Sequence, residues 1–402
     1  MMKISRTLGS ILGAGVFALF GCTEDAVSPS GPEATPALAT AAAPLSFAQV
    51  SSGSYHTCGV AADHRAYCWG DNAEGQLGDG TTTDRSRPVA VARGIAFLQV
   101  SAGTHHTCGV STDSRVYCWG LNDFGQLGTT EFRRLKPALI TGGFHFSQVN
   151  SGFRHTCAVT PTNVAYCWGE NRVGQLGDGT TTNRSTPVPV ARGLSFRRVI
   201  ASAVHTCGVT TGNKGFCWGE NFQGQLGDGT TMQRLKPVAV MGGLSFRQVL
   251  AGGAHSCGLT TNDKAYCWGF NENGQLGDGS TTRRLSPVAV SGGRSFDQIA
   301  PGSVSTTCGV TTGQRSFCWG DNFAGALGDG TTTDRHVPVA VSGGLSFGGV
   351  SPGDHHTCGV TTAGRAYCWG HDGQGQLGDG AGSAETWFGI PISSRPVPVI
   401  GP

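Results

Sequence analysis

The residues with the clearest chemical potential are cysteines, and they follow a strict spacing. Fourteen of the 15 cysteines form pairs in which the two residues are ten positions apart. On either side of a short turn, such residues would lie opposite one another in a β-hairpin, at a separation that a disulfide accepts. Zinc sites use cysteines about two to four residues apart, so a metal explains the pattern poorly. The sequence therefore predicts seven disulfides, and buried free thiols are the alternative. The predicted bonds are Cys58–Cys68, Cys108–Cys118, Cys157–Cys167, Cys207–Cys217, Cys257–Cys267, Cys308–Cys318 and Cys358–Cys368.

Histidines stand two positions before six of these cysteine pairs, and Thr306 takes the place before the remaining one. A shared metal ion or a catalytic centre would require several imidazoles to converge. Equivalent residues of separate repeat copies are too dispersed for that, so we expect structural histidines that bond to the backbone, and no metal site. The six are His56, His106, His155, His205, His255 and His356.

Acidic and basic residues recur in a loop after each pair. Asp79-Gly80 begins a segment similar to a Ca²⁺ loop, but the second acid, Asp84, is replaced in other copies, so an Asx-type turn explains the segment better. An arginine stands three residues before a proline in six copies. These arginines could form a cationic ring for an anionic ligand, but we favour pairing with the nearby Asp: Arg85, Arg134, Arg184, Arg234, Arg284 and Arg335.

All these residues belong to a unit of about 50 residues that occurs seven times, which indicates a repeat architecture. In the first copy, short apolar runs at 47–50, 56–60, 65–69 and 88–91 read as strands, and the segment 70–83 reads as a loop. Four short strands per copy predict an all-β fold, a seven-bladed β-propeller of four-stranded antiparallel blades with one disulfide per blade. We expect the strand at 47–50 to help close blade 7.

The N-terminus predicts export. Lys3 and Arg6 precede an apolar segment at 8–20, which has the length of a signal peptide core and is too short to span a bilayer. The residues before Cys22 resemble the lipobox of bacterial lipoproteins, in which the cysteine is lipidated; an ordinary secretory peptide is the alternative. Thr23 at the next position implies outer-membrane sorting. The predicted domains are a signal peptide (1–21), a disordered Ala/Pro/Ser/Thr-rich tether (22–45) and the propeller (46–402).

Charge excludes one class of partner. Without the signal peptide the chain has 26 basic and 26 acidic residues. A neutral chain lacks the general electrostatic footprint for nucleic acid. We therefore expect no nucleic-acid partner, membrane contact only through the N-terminal lipid, and a monomer.

The repeat resembles the regulator of chromosome condensation repeat. The resemblance rests on Gly-x-x-His-Thr-Cys-x-Val, Tyr-Cys-Trp-Gly-x-Asn and Gly-Gln-Leu-Gly, as at 152–156, 166–169 and 174–177, and it covers 46–402. It implies a seven-bladed propeller, and the paired cysteines are similar to an exported bacterial branch. Family members act in guanine nucleotide exchange, in ultraviolet-B perception or as secreted β-lactamase inhibitors. The tryptophans of the photoreceptors are missing before the ring histidines, and an exported chain has no access to a nuclear GTPase.

Positions that vary within the fixed repeat are the candidate binding residues. The two residues before each ring histidine should share one face, and several have the character of interface anchors. The last copy also has an extended loop with the only tryptophan outside the repeat frame. It could be a contact site or a lid over the seam between blades 7 and 1. The candidates for partner binding are Tyr55, His105, Phe153, Arg154, His355, Trp387 and Phe388, with idle surface as the alternative.

These observations predict an extracytoplasmic, lipid-anchored propeller of the cell envelope that binds an unknown protein or glycan. No catalytic motif stands out from the repeats, so we expect no enzyme and no cofactor. The alternatives are a passive structural envelope component or, by family name only, an exchange-factor-like regulator. An enzyme acting at the channel mouth is the reading we favour least.

Overall fold

The computed structural model describes residues 45–191, 193–380 and 385–402. The signal peptide, Cys22 and nearly all of the predicted tether lie outside these residues. Within them, strands form seven antiparallel sheets, one from each repeat copy. Six sheets keep their strands in chain order, and in the seventh the strand Glu385–Trp387 lies outside Ile390–Pro398, which follows it in the chain. The all-β, seven-bladed propeller predicted from the repeats is confirmed.

Each blade contributes four strands that run from the central channel outward. The fourth strand of blade 1 begins at Arg85, three residues before the predicted Pro88, because Arg85 still pairs with Gly70 across a bulge. Two short 3₁₀ turns, Ala92–Gly94 and Phe323–Gly325, interrupt the loops. The strands of blades 1 to 3 are Phe47–Ser52, His56–Ala61, Ala66–Gly70 and Arg85–Ala90; Phe97–Ala102, His106–Ser111, Val116–Leu121 and Arg133–Leu139; and Gln148–Ser151, His155–Val159, Ala165–Gly169 and Arg184–Pro189.

The remaining blades repeat this pattern, and blade 7 adds a fifth strand at its outer edge. The strands of blades 4 to 7 are Phe196–Ala201, His205–Thr210, Gly215–Gly219 and Arg234–Ala239; Phe246–Ala251, His255–Thr260, Ala265–Gly269 and Arg284–Ala289; Phe296–Pro301, Thr306–Thr311, Ser316–Gly320 and Arg335–Ala340; and Phe347–Pro352, His356–Thr361, Ala366–His371, Glu385–Trp387 and Ile390–Pro398.

All seven predicted disulfides are present. In each blade the two cysteines are directly opposed on the second and third strands, as Cys58 is to Cys68, with Cα atoms 4.0 to 4.1 Å apart. Every one of these cysteines is fully buried. The hairpin that brings them together turns at a residue with positive φ, His64 in blade 1. Spacing alone therefore located both the hairpin and the bond.

The apolar cores lie between adjacent blades. Beside blade 1, for example, the Cys58–Cys68 disulfide packs in one cluster with Phe97 and Trp119 of blade 2. All seven repeat tryptophans are fully buried in this way. A single four-stranded sheet has two faces and cannot bury either one alone, so stacking of neighbours supplies the stability.

The expectation that the first strand helps to close blade 7 is wrong. Phe47–Ser52 pairs only with the second strand of blade 1, and blade 7 is completed by its own Ile390–Pro398. Blade 7 meets blade 1 through a backbone hydrogen bond from Phe47 N to Gly364 O at 2.8 Å and through packing of Phe47 and Trp69 against the Cys358–Cys368 disulfide. No strand exchange is needed, because every copy already carries a complete set of four strands.

Candidate functional site

The ring histidines hold neighbouring blades together. His56 Nε2 lies 2.9 Å from Thr107 Oγ1 in the next blade. Equivalent bonds of 2.8 to 3.0 Å join each of the six histidines to the Thr or Ser before the next blade's first cysteine, and His356 reaches Thr57 across the closing seam. The structural role predicted for them is confirmed, but the partner is a hydroxyl of the next blade and not the backbone.

The protonation state of these histidines follows from the geometry. The Thr107 hydroxyl donates to the Gln76 carbonyl at 2.8 Å, so the imidazole of His56 must donate from Nε2. Nδ1 then remains a buried acceptor without a partner in the described part of the chain. Burial lowers the pKa of each of the six ring histidines to about 3, so all are neutral at pH 7.

A second clamp explains the Gly-Gln-Leu-Gly motif. Trp119 Nε1 of blade 2 donates to the Gln76 carbonyl of blade 1 at 2.8 Å, the same oxygen that accepts from Thr107. Seven such tryptophan bonds of 2.8 to 3.0 Å complete the ring. The motif is therefore structural, and it turns the loop carbonyl toward the next blade.

One glycine of this motif can be tested directly. Gly227 has a φ of 67°, and a Cβ there would lie 2.6 Å from Trp268 Nε1. We expect Gly227→Ala to lower the free energy of unfolding by about 2–5 kcal/mol, through backbone strain and displacement of the indole. Urea unfolding measures this. Gly243→Ala is the matched control, because Gly243 has a φ of 64° and no atom within 4 Å of an added Cβ; a loss as large there would contradict the role of the indole contact.

The acidic loops and the arginines also form structural pairs. Asp79 accepts hydrogen bonds from the backbone and hydroxyl of Thr81, in an Asx-type turn, and from Arg85. Five of the six arginines bond to the Asp of their own loop at 2.7 to 3.1 Å, and Arg134 pairs with Glu131 where blade 2 lacks that Asp. The predicted Arg–Asp pairing and Asx turn are confirmed. The hydrogen bonds from Arg85 and Thr81 lower the pKa of the Asp79 carboxyl even though its burial raises it.

The varying residues lie together at one end of the propeller, which we call the variable face. In each blade it comprises the residues just before the second strand and those just after the third. A backbone bond joins the two segments, as from Asp71 N to Tyr55 O and from Glu170 N to Arg154 O. The structure thus places Tyr55, His105, Phe153, Arg154 and His355 on one face, as expected. Phe153 is exposed, and the other four are partly buried.

Two groups of packed side chains lie on this face, one of arginines on phenylalanine rings and one of a phenylalanine on a histidine. The Arg154 guanidinium carbon lies 4.8 Å from the ring centre of Phe124 and 5.2 Å from that of Phe153, and Arg172 lies 5.1 Å from Phe124. Across the channel, Phe323 contacts His355 with ring centres 5.1 Å apart. Arginine stacked on aromatic rings is held in place before a partner arrives, which reduces the entropy lost on binding.

Phe124, Phe222 and Phe323 were missed in the sequence. They follow the third strand, in a segment interpreted only as loop, and they join the face because that loop is bonded to the residues before the ring histidine. Phe222 is 65% exposed. A repeat-by-repeat comparison of this second variable segment would have found them.

The extended segment of blade 7 forms a β-hairpin. Glu385–Trp387 pairs with Ile390–Ile392, and Ile392 pairs with His371, so the hairpin stands at the variable-face end of blade 7. Phe388 at its tip is 89% exposed. The strand Ile390–Pro398 contacts the blade 6 turn Phe323–Gly325, as the fourth strands of other blades contact the loop of the preceding blade; the contact-site and lid interpretations of this segment both stay predictions. Trp387 is partly buried and packs on Phe388, with ring centres 5.1 Å apart.

The carboxyl of Asp354 is partly buried near the channel mouth. Burial raises the pKa of Asp354, while a hydrogen bond from Ser54 and the proximity of His355 oppose the rise. The same carboxyl contributes to the raised pKa of Tyr55, after burial of that phenol. Among the described residues, no group of three or more His, Cys, Asp or Glu is arranged to hold a metal ion. That part of the chain also contains no helix long and apolar enough to cross a membrane.

The fold and the recurring histidine and tryptophan bonds define a class of protein. It is a seven-bladed propeller built from repeats, and the motifs that recur from repeat to repeat are structural. The chain belongs to the RCC1-like domain family, which it matches over residues 18–307. Regulator of chromosome condensation (RCC1) repeats match at 315–360 and 350–376. No significant match was found among curated protein sequences.

Several solved structures share this fold. Human WBSCR16 is 22% identical, with a TM-score of 0.73, over 79% of this chain and 88% of that one. Prp20p from Saccharomyces cerevisiae, described with its binding to Gsp1p and histones, is 20% identical, with a TM-score of 0.72, over 88% and 87%. Yeast RCC1 (Prp20) bound to Kap60 is 19% identical, with a TM-score of 0.73, over 95% and 91%. At these identities the likeness shows the fold alone.

Proposed function

We propose that this chain is a non-catalytic, lipid-anchored module of the bacterial cell envelope that binds a protein partner on its variable face. The observation that carries the proposal is the distribution of exposed aromatic side chains. Five phenylalanines of the described chain are exposed, from 37% to 89%, and all lie at the variable-face end: Phe132, Phe153, Phe222, Phe323 and Phe388. Exposed aromatic residues beside arginine are typical of protein-binding surfaces.

The chemistry of the recurring polar residues supports a binding role over catalysis. The ring histidines are neutral and engaged between blades, and the loop carboxylates are paired with arginine. Variation between copies is concentrated instead in the loops of one face, where it does not disturb the clamps. Solved relatives of the same fold bind proteins, as the yeast complex with Kap60 illustrates.

An extracytoplasmic location is part of the proposal. Seven disulfides persist in an oxidising compartment and would be reduced in a cytosol. Cys22 is the one cysteine outside these bonds. The intact mass of the mature protein tests this part: a chain that begins at acylated Cys22 supports it, and a chain that retains residues 1–21 would contradict it.

The binding role is tested by affinity capture from host envelope extract, with the oxidised 46–402 fragment as bait. We expect one or more captured proteins, and a purified partner whose affinity falls by about tenfold or more on the double change Phe153→Ala and Arg154→Ala, because interface anchors of this kind often contribute 2 kcal/mol or more. Phe222→Ala and Phe388→Ala map the extent of the contact.

The matched control is Val164→Ala. Val164 is also an exposed apolar residue, at 41%, but it lies in a hairpin turn at the opposite end of the propeller. Its replacement should change the affinity by less than about twofold. Equal loss in both variants would place the contact elsewhere. Capture of no protein, together with binding to an envelope glycan, would replace the protein partner with a carbohydrate.

A further inference from the structure

The central channel is lined by the first strands of the blades and encloses about 440 Å³. Its lining consists of backbone, apolar residues and uncharged polar side chains, with a single exception. Arg198, on the first strand of blade 4, is the one charged residue among the described residues that line it. The channel therefore carries a localised positive charge with no acidic residue beside it.

Most blades place glutamine at this position and use it to join neighbouring blades. Gln49 Nε2 donates to Val100 O of the next blade at 2.7 Å, and Val100 N donates back to Gln49 Oε1. Gln99, Gln148 and Gln298 make the same pair of bonds to the blades that follow them. Glutamine at this position thus has a clear structural role.

Arg198 departs from that role. It makes no hydrogen bond and no ion pair with the described residues, although the surrounding protein desolvates it and lowers the pKa of its guanidinium. The equivalent side chain of the next blade, Gln248, has a buried Oε1 that is also without a partner in the described structure. A guanidinium stays charged in proteins, so Arg198, which is partly buried, presents a charge to the channel without an acceptor among the described residues.

The first-strand position two residues further along also lines the channel, and blade 4 and its neighbour blade 5 differ there from other blades. In blades 7, 1, 2 and 3, Ser351, Ser51, Ser101 and Asn150 accept hydrogen bonds from the following blade. In blades 4 and 5 the equivalent residues are Ile200 and Leu250, which line the channel and make no such bond. Arg198 therefore stands next to an apolar wall, which would suit a ligand that carries both an anion and a hydrocarbon part.

We propose that Arg198 binds a carboxylate on a slender apolar carrier inside the central channel, as a site separate from the variable face. A carboxylate accepts two parallel hydrogen bonds from a guanidinium and supplies the charge that the channel lacks. Its carrier would pack against Ile200 and Leu250. A free short-chain carboxylic acid and the C-terminus of an inserted peptide present the same chemistry.

The test follows the Nε–H resonance of Arg198 in the full chain, with ¹⁵N-labelled arginine, during titration with butyrate. We expect butyrate to shift this resonance and its neutral analogue butyramide to leave it unchanged. Arg198→Gln should weaken butyrate binding by about 10- to 100-fold, as loss of a charge-assisted bidentate contact does. The variant should fold, because Gln at this position joins blades elsewhere in the ring.

Arg197→Gln is the matched control. Arg197 is the preceding residue, carries the same charge and bonds outside the channel to Asn213, so this variant should keep butyrate binding within about twofold.

If Arg198→Gln does not fold, Arg198→Lys serves to assign the Arg198 resonance. The response of that resonance to butyrate and to butyramide in the unmodified chain then tests the proposal. A peptide acid that binds more tightly than its C-terminal amide would identify a peptide source, and tighter butyrate binding a free acid. Binding of inorganic phosphate alone, butyrate binding unaffected by Arg198→Gln, or no response to any probe would overturn the proposal. Phe222→Ala should leave the titration unchanged, so failure of the variable-face role would not affect it.

Discussion

Acidification is expected to unfold the propeller because its buried ring histidines take up protons only in the unfolded chain. The pKa of each ring histidine is about 3 in the folded protein and about 6.5 in an unfolded chain. Between these values the unfolded state binds one more proton per histidine, so stability is complete above pH 6.5 and falls as the pH is lowered toward 3.

The expected size of this effect is large because six sites act together. Each histidine contributes about 1.4 kcal/mol per pH unit, so the six together contribute on the order of 8 kcal/mol per unit. Domains are commonly stable by only about 5–15 kcal/mol. We therefore expect unfolding between about pH 6 and pH 4, measured as the urea-unfolding free energy at a series of pH values.

The control for this prediction copies into blade 5 the residue that blade 6 has at the ring position. Thr306 stands there in place of the histidine, and its hydroxyl donates to Asp321 O at 2.9 Å. His255→Thr should lower stability at pH 7, since the bond to Thr307 is lost, and should reduce the pH slope by about 1.4 kcal/mol per unit. A slope unaltered by this change, or stability that stays flat from pH 7 to pH 4, would show that the ring histidines do not govern the acid response.

Reduction of the seven disulfides is expected to unfold the protein at neutral pH. Each bond links residues ten positions apart, and a closed loop of that size stabilises a fold by about 3 kcal/mol in the chain-entropy model. Seven such bonds add up to more than the net stability of a typical domain. Because the cysteines are fully buried, the reductant should be added in urea before refolding is attempted, with circular dichroism and thiol counting as the measurements.

A single blade tests the contribution of one bond. The double change Cys257→Ala and Cys267→Ala should lower the free energy of unfolding by about 2–4 kcal/mol and leave the protein folded. Recovery of the native spectrum by the fully reduced wild-type chain would contradict the prediction. The tryptophan and histidine clamps would then be sufficient to hold the ring.

Local features of the sequence predicted most of the fold. The spacing of the cysteines located each hairpin because the two residues are close both in the chain and across the ladder. The partners of His56 and Trp119 could not be predicted in this way, since they lie in the neighbouring copy, and equivalent residues in identical copies offer no signal of which copy makes the contact. The wrong expectation for blade 7 has the same cause, because the order of strands within a blade depends on where the first copy starts.

The candidate site was predicted only in part. The residues before the ring histidines do share a face, but Phe222 and Phe323 join it through a loop that is distant in sequence. Arg198 was not singled out in the sequence. It replaces a glutamine of other copies, and only the folded ring shows that this position lines the channel. Its missing partner is visible only after the seven first strands are brought around a common axis.

The contacts at the closing seam have a consequence for how the chain could be cut and rejoined. Trp69 donates to Gln376 O at 2.9 Å and His356 reaches Thr57 at 2.8 Å, the same bonds that join blades adjacent in sequence. Among the described residues the closing seam therefore uses the same two bonds as five of the other junctions, while the junction between blades 6 and 7 has the tryptophan bond alone. The position of the chain ends is then arbitrary with respect to the fold, as in a molecule that tolerates circular permutation at any blade boundary.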